Sequence, residues 1–183
     1  VVLVIVIVAG YMGYQEYRQS QLAADGHSFW VAERNMTLGE TDQAVAIFRS
    51  IVEDGAEGYP YLAGLRAAEA MASSGDRDGA LALYDQLSNE QSVEQRYRQL
   101  AALYGVMLLV DEGDPADVEK RIEPLLQGEW RHSAMEMQGL LQLRTGDRAA
   151  AAETFTALIA DPNTPTTLRN RAAELFAIAG EGS

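Results

Sequence analysis

The chain has 183 residues, of which 48% are hydrophobic and 22% charged, and its formal net charge is −13. This composition is that of a globular protein long enough to bury a core, and it excludes disordered and fibrous classes. The acidic balance, with Lys120 the one lysine and the arginines scattered, argues against binding to nucleic acid. Because cysteine is absent, disulfides, thiolate metal sites and cysteine nucleophiles are excluded.

The N-terminal segment is apolar and carries no charge before Glu16. Residues 1–14 would form a helix of about 21 Å, short of the roughly 20 residues that a bilayer crossing needs. Because the sequence does not begin with methionine, we expect this segment to be the end of a longer transmembrane helix, with tyrosines at the membrane interface. The predicted anchor residues are Val1, Val2, Leu3, Val4, Ile5, Val6, Ile7, Val8, Tyr11 and Tyr14.

Three other interpretations of this segment are open. A buried parallel strand would be equally β-branched, a secretory signal has an apolar core of similar length, and a buried first helix needs no membrane. No second strand-like run exists to pair with it, and 14–17 is not a small-residue cleavage site. Arg18 and Arg34 are the only basic residues in the stretch that follows, which favours the translocated side of a membrane.

Four segments beyond the anchor share one pattern of glycine, small and apolar residues. A small residue follows the glycine after five positions, a large apolar residue after nine and an aliphatic residue after twelve. The glycines are 36, 38 and 33 residues apart. The four sets are Gly39, Ala44, Phe48, Ile51; Gly75, Ala80, Tyr84, Leu87; Gly113, Val118, Ile122, Leu125; and Gly146, Ala151, Phe155, Leu158.

This pattern predicts pairs of helices joined at the glycine. The glycine would end the first helix in a left-handed conformation, which a Cβ atom disfavours. The three following positions share one face of the second helix. Because one helix pair cannot bury its apolar face alone, neighbouring pairs are expected to stack. The predicted caps of the second helices are Thr41–Asp42, Asp76, Asp114–Pro115 and Asp147.

The pattern resembles the tetratricopeptide repeat, whose period is about 34 residues. The last unit matches best, with Gly139, Ala151 and Phe155 at the small and aromatic positions, whereas Val106 and Val118 make the third unit irregular. We therefore predict an all-α, right-handed tetratricopeptide-like solenoid of about four helix pairs plus a capping helix, with a generic helical bundle as the alternative. The predicted domains are the end of a transmembrane helix at 1–17, the repeats at 18–163 and a capping helix with tail at 164–183.

The order of these parts and several short stretches carry a narrower resemblance. The predicted order is a transmembrane helix, a stalk rich in Tyr, Arg and Gln at 14–21, and divergent repeats. The region from Gly128 to Leu168 that follows carries the most specific part of the resemblance. In this order the chain resembles the YfgM-like family, the ancillary subunits of the bacterial SecYEG translocon. The resemblance implies a bitopic inner-membrane protein with a periplasmic repeat domain. Its implied partners are the translocon and a membrane-anchored periplasmic chaperone, and it implies no catalytic residue.

The sequence predicts no catalytic, cofactor-binding or metal site. His27 and His132 are the only histidines, and Glu136, four residues after His132, is interpreted as part of a solvated helix pair and not as a metal ligand. The acidic run 111–117 lacks the spacing of a calcium loop and is interpreted as a turn with a helix cap. No nucleophile elbow, phosphate loop or dinucleotide fingerprint is present.

Aromatic residues on the first helices are the candidate partner-binding residues. First helices of stacked pairs line the concave surface, and Tyr and Trp are frequent interface anchors. For each residue burial is the favoured interpretation, although one or two of the set are expected to face the groove. The candidates are Trp30, Tyr59, Tyr61, Tyr97, Tyr104 and Trp130.

These inferences together predict a binding protein and not an enzyme. The expected function is that of a membrane-anchored periplasmic adaptor that links the Sec translocon to chaperones or secreted chains. The alternative is an accessory or assembly subunit of another inner-membrane complex. The acidity is expected to keep the repeats away from anionic lipid and to favour basic clients.

Overall fold

The computed structural model describes residues 2–180, and side chains from residue 7 onward. Within these residues there are nine α-helices and one 3-10 helix and no strand, which confirms the all-α prediction. The helices are α1 Val2–Leu38, α2 Thr41–Asp54, α3 Tyr59–Ser73, α4 Arg77–Ser88, α5 Gln95–Leu109, α6 Pro115–Ile122, the 3-10 helix Glu123–Gln127, α7 Arg131–Thr145, α8 Arg148–Ala160 and α9 Thr166–Gly180.

The chain divides into two compact units, Val1–Leu83 and Tyr84–Ser183. In the first unit α2 packs against both α1 and α3, and small residues allow the three helices to approach closely. Arg66 on α3 forms a bidentate ion pair with Glu33 on α1, with Nη2 2.7 Å from Oε2. The core of this unit consists of Ala32, Ala44, Phe48, Ile51, Ala63 and Ala67.

The second unit contains two hydrophobic clusters. The first joins α5, α6, the 3-10 helix and α7 around Leu103, Val106, Ile122 and Met137. The second joins α8 and α9 around Phe155, which packs against Gly139 of α7. The further members of the second cluster are Ala151, Leu158, Leu168, Ala172 and Ala179.

The repeat pattern correctly predicts the core. Every residue predicted five, nine or twelve positions after a repeat glycine is buried, with at most 6% of its surface exposed. Ala32, Ala68 and Val106, seven positions before the glycine, are fully buried as well. This regularity indicates that each second helix presents one apolar face inward, at the spacing that 3.6 residues per turn requires.

Three of the four repeat glycines have the predicted left-handed backbone. The φ angles are +78° at Gly39, +95° at Gly75 and +87° at Gly146. Gly113 does not share this conformation, so the prediction is wrong there. A Cβ atom at Gly113 would lie 2.8 Å from the Leu109 carbonyl oxygen, so close approach of the backbone is what favours glycine at this turn.

Three of the four predicted helix caps form. Backbone N–H groups of Gly79, Asp117 and Ala150 each donate to the aspartate three residues earlier, at 3.0 Å. The prediction is wrong for Thr41–Asp42, because α2 begins directly after Glu40, whose side chain makes no cap hydrogen bond. Asp42 instead lies inside the first turn, where its negative charge interacts favourably with the positive end of the helix dipole.

Helix α1 runs without a break from Val2 to Leu38. Val1 and the side chains of residues 2–6, which belong to the predicted anchor, lie outside the part that the structure describes. Among the residues that are described, none of the helices combines the length and apolarity needed to cross a membrane. The transmembrane helix predicted for residues 1–17 is therefore without support from the structure.

Candidate interaction surfaces

The six aromatic residues predicted to contact partners differ widely in exposure. Trp30 on α1 is 56% exposed and Tyr97 on α5 is 45% exposed, whereas Tyr61 is 8% exposed and belongs to the core. The half-buried residues are Tyr59, Tyr104 and Trp130. The first unit thus presents Trp30 to solvent and the second presents Tyr97.

Ring contacts explain why two of the half-buried tyrosines are held in place. Tyr59 lies 6.2 Å from the ring of Phe29, and a Cβ atom at Gly26 would meet its hydroxyl at 2.8 Å. Tyr104 lies 5.7 Å from the ring of Tyr84. Such rings contribute to packing by burial and edge contacts. These contacts fix both rings within their units, and the partner-binding role of the two tyrosines stays a prediction.

Trp30 lies on an exposed face of α1. The His27 ring stacks on it with centroids 6.3 Å apart, and the Arg34 guanidinium carbon lies 5.7 Å from its centroid. Leu38, two turns after Trp30 on the same face, is 62% exposed. An exposed tryptophan flanked by a cation and an aliphatic side chain has the composition of an interface anchor.

The second unit contains a cleft of about 570 Å³ at the N-terminal ends of α5 and α7, against the 3-10 helix. This volume lies within the usual range for ligand pockets. Its lining is polar and rich in carboxamides. The residues that matter for its chemistry are Gln95, Arg96, Gln99, Gln127, Gly128 and Arg131.

The geometry of this cleft depends on Trp130 and Gly128. The indole Nε1 of Trp130 donates to the Arg96 carbonyl at 2.7 Å, which ties the start of α7 to the start of α5. A Cβ atom at Gly128 would lie 2.4 Å from Oε1 and 2.6 Å from Nε2 of Gln99. Glycine at position 128 therefore leaves the space that the Gln99 carboxamide occupies.

Both guanidinium groups of the cleft are engaged in ion pairs. Arg96 Nη2 lies 2.6 Å from Glu94 Oε2, and the hydrogen bond with that carboxylate raises the pKa of Arg96. Arg131 Nη2 contacts Asp161 Oδ2. The cleft therefore presents neutral carboxamides and paired cations to an incoming ligand.

His132 and Glu136 have separate partners. His132 Nε2 lies 3.0 Å from Asp161 Oδ2. Glu136 is only 6% exposed and accepts from Arg171 Nε at 2.7 Å and Nη2 at 2.8 Å, so its interpretation as part of a solvated pair is wrong. No cluster of three metal-ligating side chains occurs among the described residues.

Residues 1–171 match the family described as a tetratricopeptide repeat-like domain. The chain belongs to this family. A comparison with curated proteins finds no match. Membership confirms the broader resemblance to tetratricopeptide repeats and supports a function in protein–protein interaction, and it does not distinguish a YfgM-like protein from other members.

The last turn of this tetratricopeptide repeat-like domain is held by Asp161, which follows α8. The neighbouring His132 ring is the main cause that lowers the pKa of this carboxyl group, followed by the Asn163 backbone N–H and the Arg131 guanidinium. Because the folded form has the lower pKa, the carboxylate stabilises the fold above the unfolded pKa of about 3.9, and the contribution is lost as the pH falls through the folded value.

We expect Asp161→Asn to lower the midpoint of thermal unfolding at pH 7, and the difference from wild type to shrink as the pH falls below about 4. Circular dichroism melts from pH 7 to pH 2.5 measure this difference. Asp111→Asn in the same unit is the matched control, since it makes the same substitution at an exposed aspartate. A difference in unfolding midpoint between wild type and Asp161→Asn that stays constant from pH 7 to pH 2.5 would contradict the stabilising role of the Asp161 carboxylate.

Sequence reasoning missed the glutamines of the cleft. The repeat spacing pointed to one of them, Gln99. It stands 14 residues before Gly113, the same repeat position that His132 occupies before Gly146 and Tyr61 before Gly75. The 3-10 helix that forms one wall has no counterpart in the repeat pattern. Its presence could be anticipated only as irregularity of the third unit.

Proposed function

We propose that this protein is a membrane-anchored adaptor that presents its repeats to protein partners on the periplasmic side of a bacterial inner membrane. In this proposal it resembles the ancillary subunit of the Sec translocon and passes secreted chains to periplasmic chaperones. It acts by binding and not by catalysis. A membrane attachment would raise the effective concentration of the repeats near a membrane partner without any new contact.

The observation that carries this proposal is the exposure of apolar side chains at the start of α1. Ile7, Tyr11, Met12 and Tyr14 are each more than 60% exposed, and Val8 is 49% exposed. A soluble domain rarely leaves such a contiguous apolar surface without a partner. Lipid, or the apolar surface of an integral membrane protein, is the environment that these side chains favour.

Charge and family support the remaining parts of the proposal. The net charge of −13 disfavours adsorption of the repeats to anionic headgroups, which attract basic segments. The tetratricopeptide repeat-like domain is a protein-binding architecture. Its ionisable candidates for chemistry both have structural partners: His132 contacts Asp161 through Nε2, and Glu136 forms an ion pair with Arg171.

Substitution of two α1 residues tests the membrane attachment. We expect Ile7→Asp/Val8→Asp to move the chain from the carbonate-resistant membrane fraction to the soluble fraction, since each central charge costs about 2.5–3.5 kcal/mol in a bilayer. Leu38→Asp is the matched control, because Leu38 lies on the same helix, is 62% exposed and is outside the apolar segment. The attachment is refuted if wild type and both variants fractionate alike.

Photo-crosslinking in cells tests the identity of the partners. A photoreactive residue at Tyr11 or Tyr14 should capture translocon subunits, and one at Trp30 or Tyr97 should capture a periplasmic chaperone or a secreted chain. The exposed Glu174 on α9 serves as a control position. Capture of subunits of another membrane complex from Tyr11 would replace the translocon assignment by that of an accessory subunit.

A further inference from the structure

We propose that one exposed face of α9 is a docking site for an amphipathic helix of another protein, which takes the place of the second helix of a fifth repeat. The residues of this α9 face are Asn170, Ala173, Phe176 and Ala177. The biological role of the site rests on the proposed adaptor function, whereas its position and chemistry rest on the repeat spacing alone.

Gly180 continues the series of repeat glycines. It stands 34 residues after Gly146, within the range of 33 to 38 residues that separates the other four. Helix α9 ends at Gly180 and therefore occupies the place of a first helix, as α7 does before Gly146. Counting back from the glycine thus identifies equivalent positions in α9 and in the first helices of the four preceding repeats.

Four positions of a first helix face the second helix of the same repeat, and they lie ten, seven, four and three residues before the glycine. At the seventh, a Cβ atom at Gly139 would lie 2.5 Å from Phe155 of α8. At the fourth, Gln142 Oε1 accepts from Thr154 Oγ1 of α8 at 2.8 Å. At the tenth, Phe29 packs against the core that α1 forms with α2. These positions share one helical face.

The same four positions are covered in the four preceding repeats and exposed in α9. Phe176 is 43% exposed, and Asn170, Ala173 and Ala177 are exposed as well. None of their sixteen counterparts is exposed: Phe29, Leu65, Leu103 and Glu136; Ala32, Ala68, Val106 and Gly139; Asn35, Met71, Leu109 and Gln142; and Met36, Ala72, Val110 and Leu143. Among the described residues, no helix covers the α9 face as α8 covers α7.

The composition of the α9 face suits a helix more than it suits solvent. The opposite side of α9 is fixed in the core through Leu168, Ala172 and Ala179. A terminal helix that only caps a repeat array carries a polar outer face. The α9 face instead has no charged residue, and its small residue Ala173 stands where Gly139 accommodates the ring of Phe155. It therefore allows the backbone of a docked helix to approach closely.

The repeat pattern also states which helix fits. Second helices of this chain carry a small residue, a large apolar residue four positions later and an aliphatic residue seven positions later. A second copy of the chain has no free helix of this kind, because the pattern residues of its second helices are buried in their own cores, as at Ala44 and Phe48 or Ala151 and Phe155. The occupant is therefore a helix of another protein with this spacing, and docking continues an interface that already joins α7 to α8.

The experiment uses a peptide of residues 147–160, which contains α8, blocked at both ends and labelled with a fluorophore. Its binding to the full chain in mild detergent is measured by fluorescence anisotropy, and the control peptide carries Phe155→Ala. The protein variants are Phe176→Ala and Ala173→Asp. Thr167→Asp is the matched control, because it places the same carboxylate at an exposed position about 120° around α9 from Ala173.

We expect wild type and Thr167→Asp to bind the peptide equally. Phe176→Ala should bind it about tenfold more weakly, as expected for the loss of one aromatic contact in an interface. Ala173→Asp should abolish binding, because docking would bury an unpaired carboxylate. The control peptide should bind to wild type about tenfold more weakly than the unmodified peptide. Thermal melts verify that each variant is folded.

A fusion gives a second measurement, because an isolated helix of this length is only marginally stable in water. Residues 147–160 are repeated directly after Gly180, just as they follow Gly146 in the chain. The covalent link raises the effective concentration of the added helix. We expect the fusion to unfold at a higher urea concentration than wild type and to lose binding of the labelled peptide. The same fusion with Ala173→Asp should show no such rise.

Several results would overturn the inference. Equal binding by wild type, Phe176→Ala and Ala173→Asp would mean that the peptide exchanges with α8 and does not dock on α9. A dimer in light scattering that Phe176→Ala dissociates would assign the α9 face to a second copy of the chain. Absence of both peptide binding and stabilisation of the fusion, with crosslinks from Tyr11 intact, would refute helix docking and leave the adaptor function standing. Peptide docking on α9, with no crosslink from Tyr11 to any membrane protein, would refute the adaptor function and leave the helix site standing.

Discussion

Replacing Phe155 by alanine is expected to lower the free energy of unfolding of the second unit by about 3–5 kcal/mol, the largest effect of any single substitution considered. Phe155 is fully buried in the cluster formed by α8 and α9, and its ring packs against Gly139 of α7. Truncation removes the apolar surface and leaves a cavity, because the helices around it are fixed by their other contacts.

Urea denaturation followed by circular dichroism measures this effect through the transition midpoint. Phe176→Ala is the matched control, since Phe176 lies on α9 of the same unit and is 43% exposed. Its substitution is expected to change stability by no more than about 0.5 kcal/mol. Equal losses from the two substitutions would contradict the placement of Phe155 at the centre of the core.

The close contact between Gly139 and Phe155 allows a second test of the same core packing. A Cβ atom at Gly139 would lie 2.5 Å from the Cε1 and Cζ atoms of Phe155, so Gly139→Ala is expected to destabilise by about 1–3 kcal/mol. Adding Phe155→Leu should recover part of this loss, because the smaller side chain makes room for the methyl group. Gly13→Ala on α1, where no atom lies within 4 Å, is the control and should cause no loss. Strict additivity of the Gly139 and Phe155 substitutions would exclude their contact.

The core of this protein could be predicted because it depends on periodic, local properties of the sequence. Ala44, Phe48 and Ile51 follow Gly39 at spacings that place them on one helical face, and all three are buried. The same rule holds at Ala151, where the small side chain permits close packing. Burial of apolar surface dominates folding and is non-directional, so spacing alone locates it.

Polar contacts between helices were not predicted because they depend on which helices become neighbours. Arg66 and Glu33 are 33 residues apart, Arg121 and Asp85 are 36 apart, and Arg171 and Glu136 are 35 apart. Each separation is close to one repeat, so each ion pair joins corresponding elements of successive repeats within its own unit. An arginine and a carboxylate separated by one repeat length are a sequence signal for such pairs.

The candidate sites were harder to predict than the core, and the physical reason differs between them. The exposure of Trp30 is consistent with its place about 100° around α1 from Phe29, which packs against the core of the first unit. The cleft, by contrast, depends on the 3-10 helix. This helix follows α6, the second helix of the third repeat, and limits α6 to Pro115–Ile122. A departure from the repeat has no periodicity, so the repeat pattern does not predict the wall of the cleft that this 3-10 helix forms.

The ion pair between Glu136 and Arg171 provides the second large prediction. The two side chains form two hydrogen bonds of 2.7 and 2.8 Å, yet the Glu136 side chain is 7% exposed and that of Arg171 is 56% exposed. The carboxylate raises the pKa of Arg171 through this hydrogen bond. Because only the Glu136 carboxylate is buried, removing Arg171 and removing the charge of Glu136 should lower the free energy of unfolding by different amounts.

Arg171→Met is expected to lower the free energy of unfolding by about 1–3 kcal/mol, because it leaves a buried carboxylate without its hydrogen-bonding partner. Glu136→Gln should cost less, since the freed guanidinium is exposed and can be hydrated. The double variant should be more stable than Arg171→Met alone, because the buried group then carries no charge. Urea denaturation of the four proteins gives the complete double-mutant cycle.

Glu94→Gln is the control for this cycle, because it breaks the exposed pair with Arg96, whose two side chains are 66% and 46% exposed. Such a surface pair contributes about 0–1 kcal/mol. If Arg171→Met were no more harmful than Glu94→Gln, the buried carboxylate would have found another partner or water. If Glu136→Gln were the more harmful of the two single variants at the buried pair, the asymmetry of desolvation would be excluded as the cause. The predicted order therefore depends on burial of the carboxylate, and it distinguishes that cause from the strength of the ion pair itself.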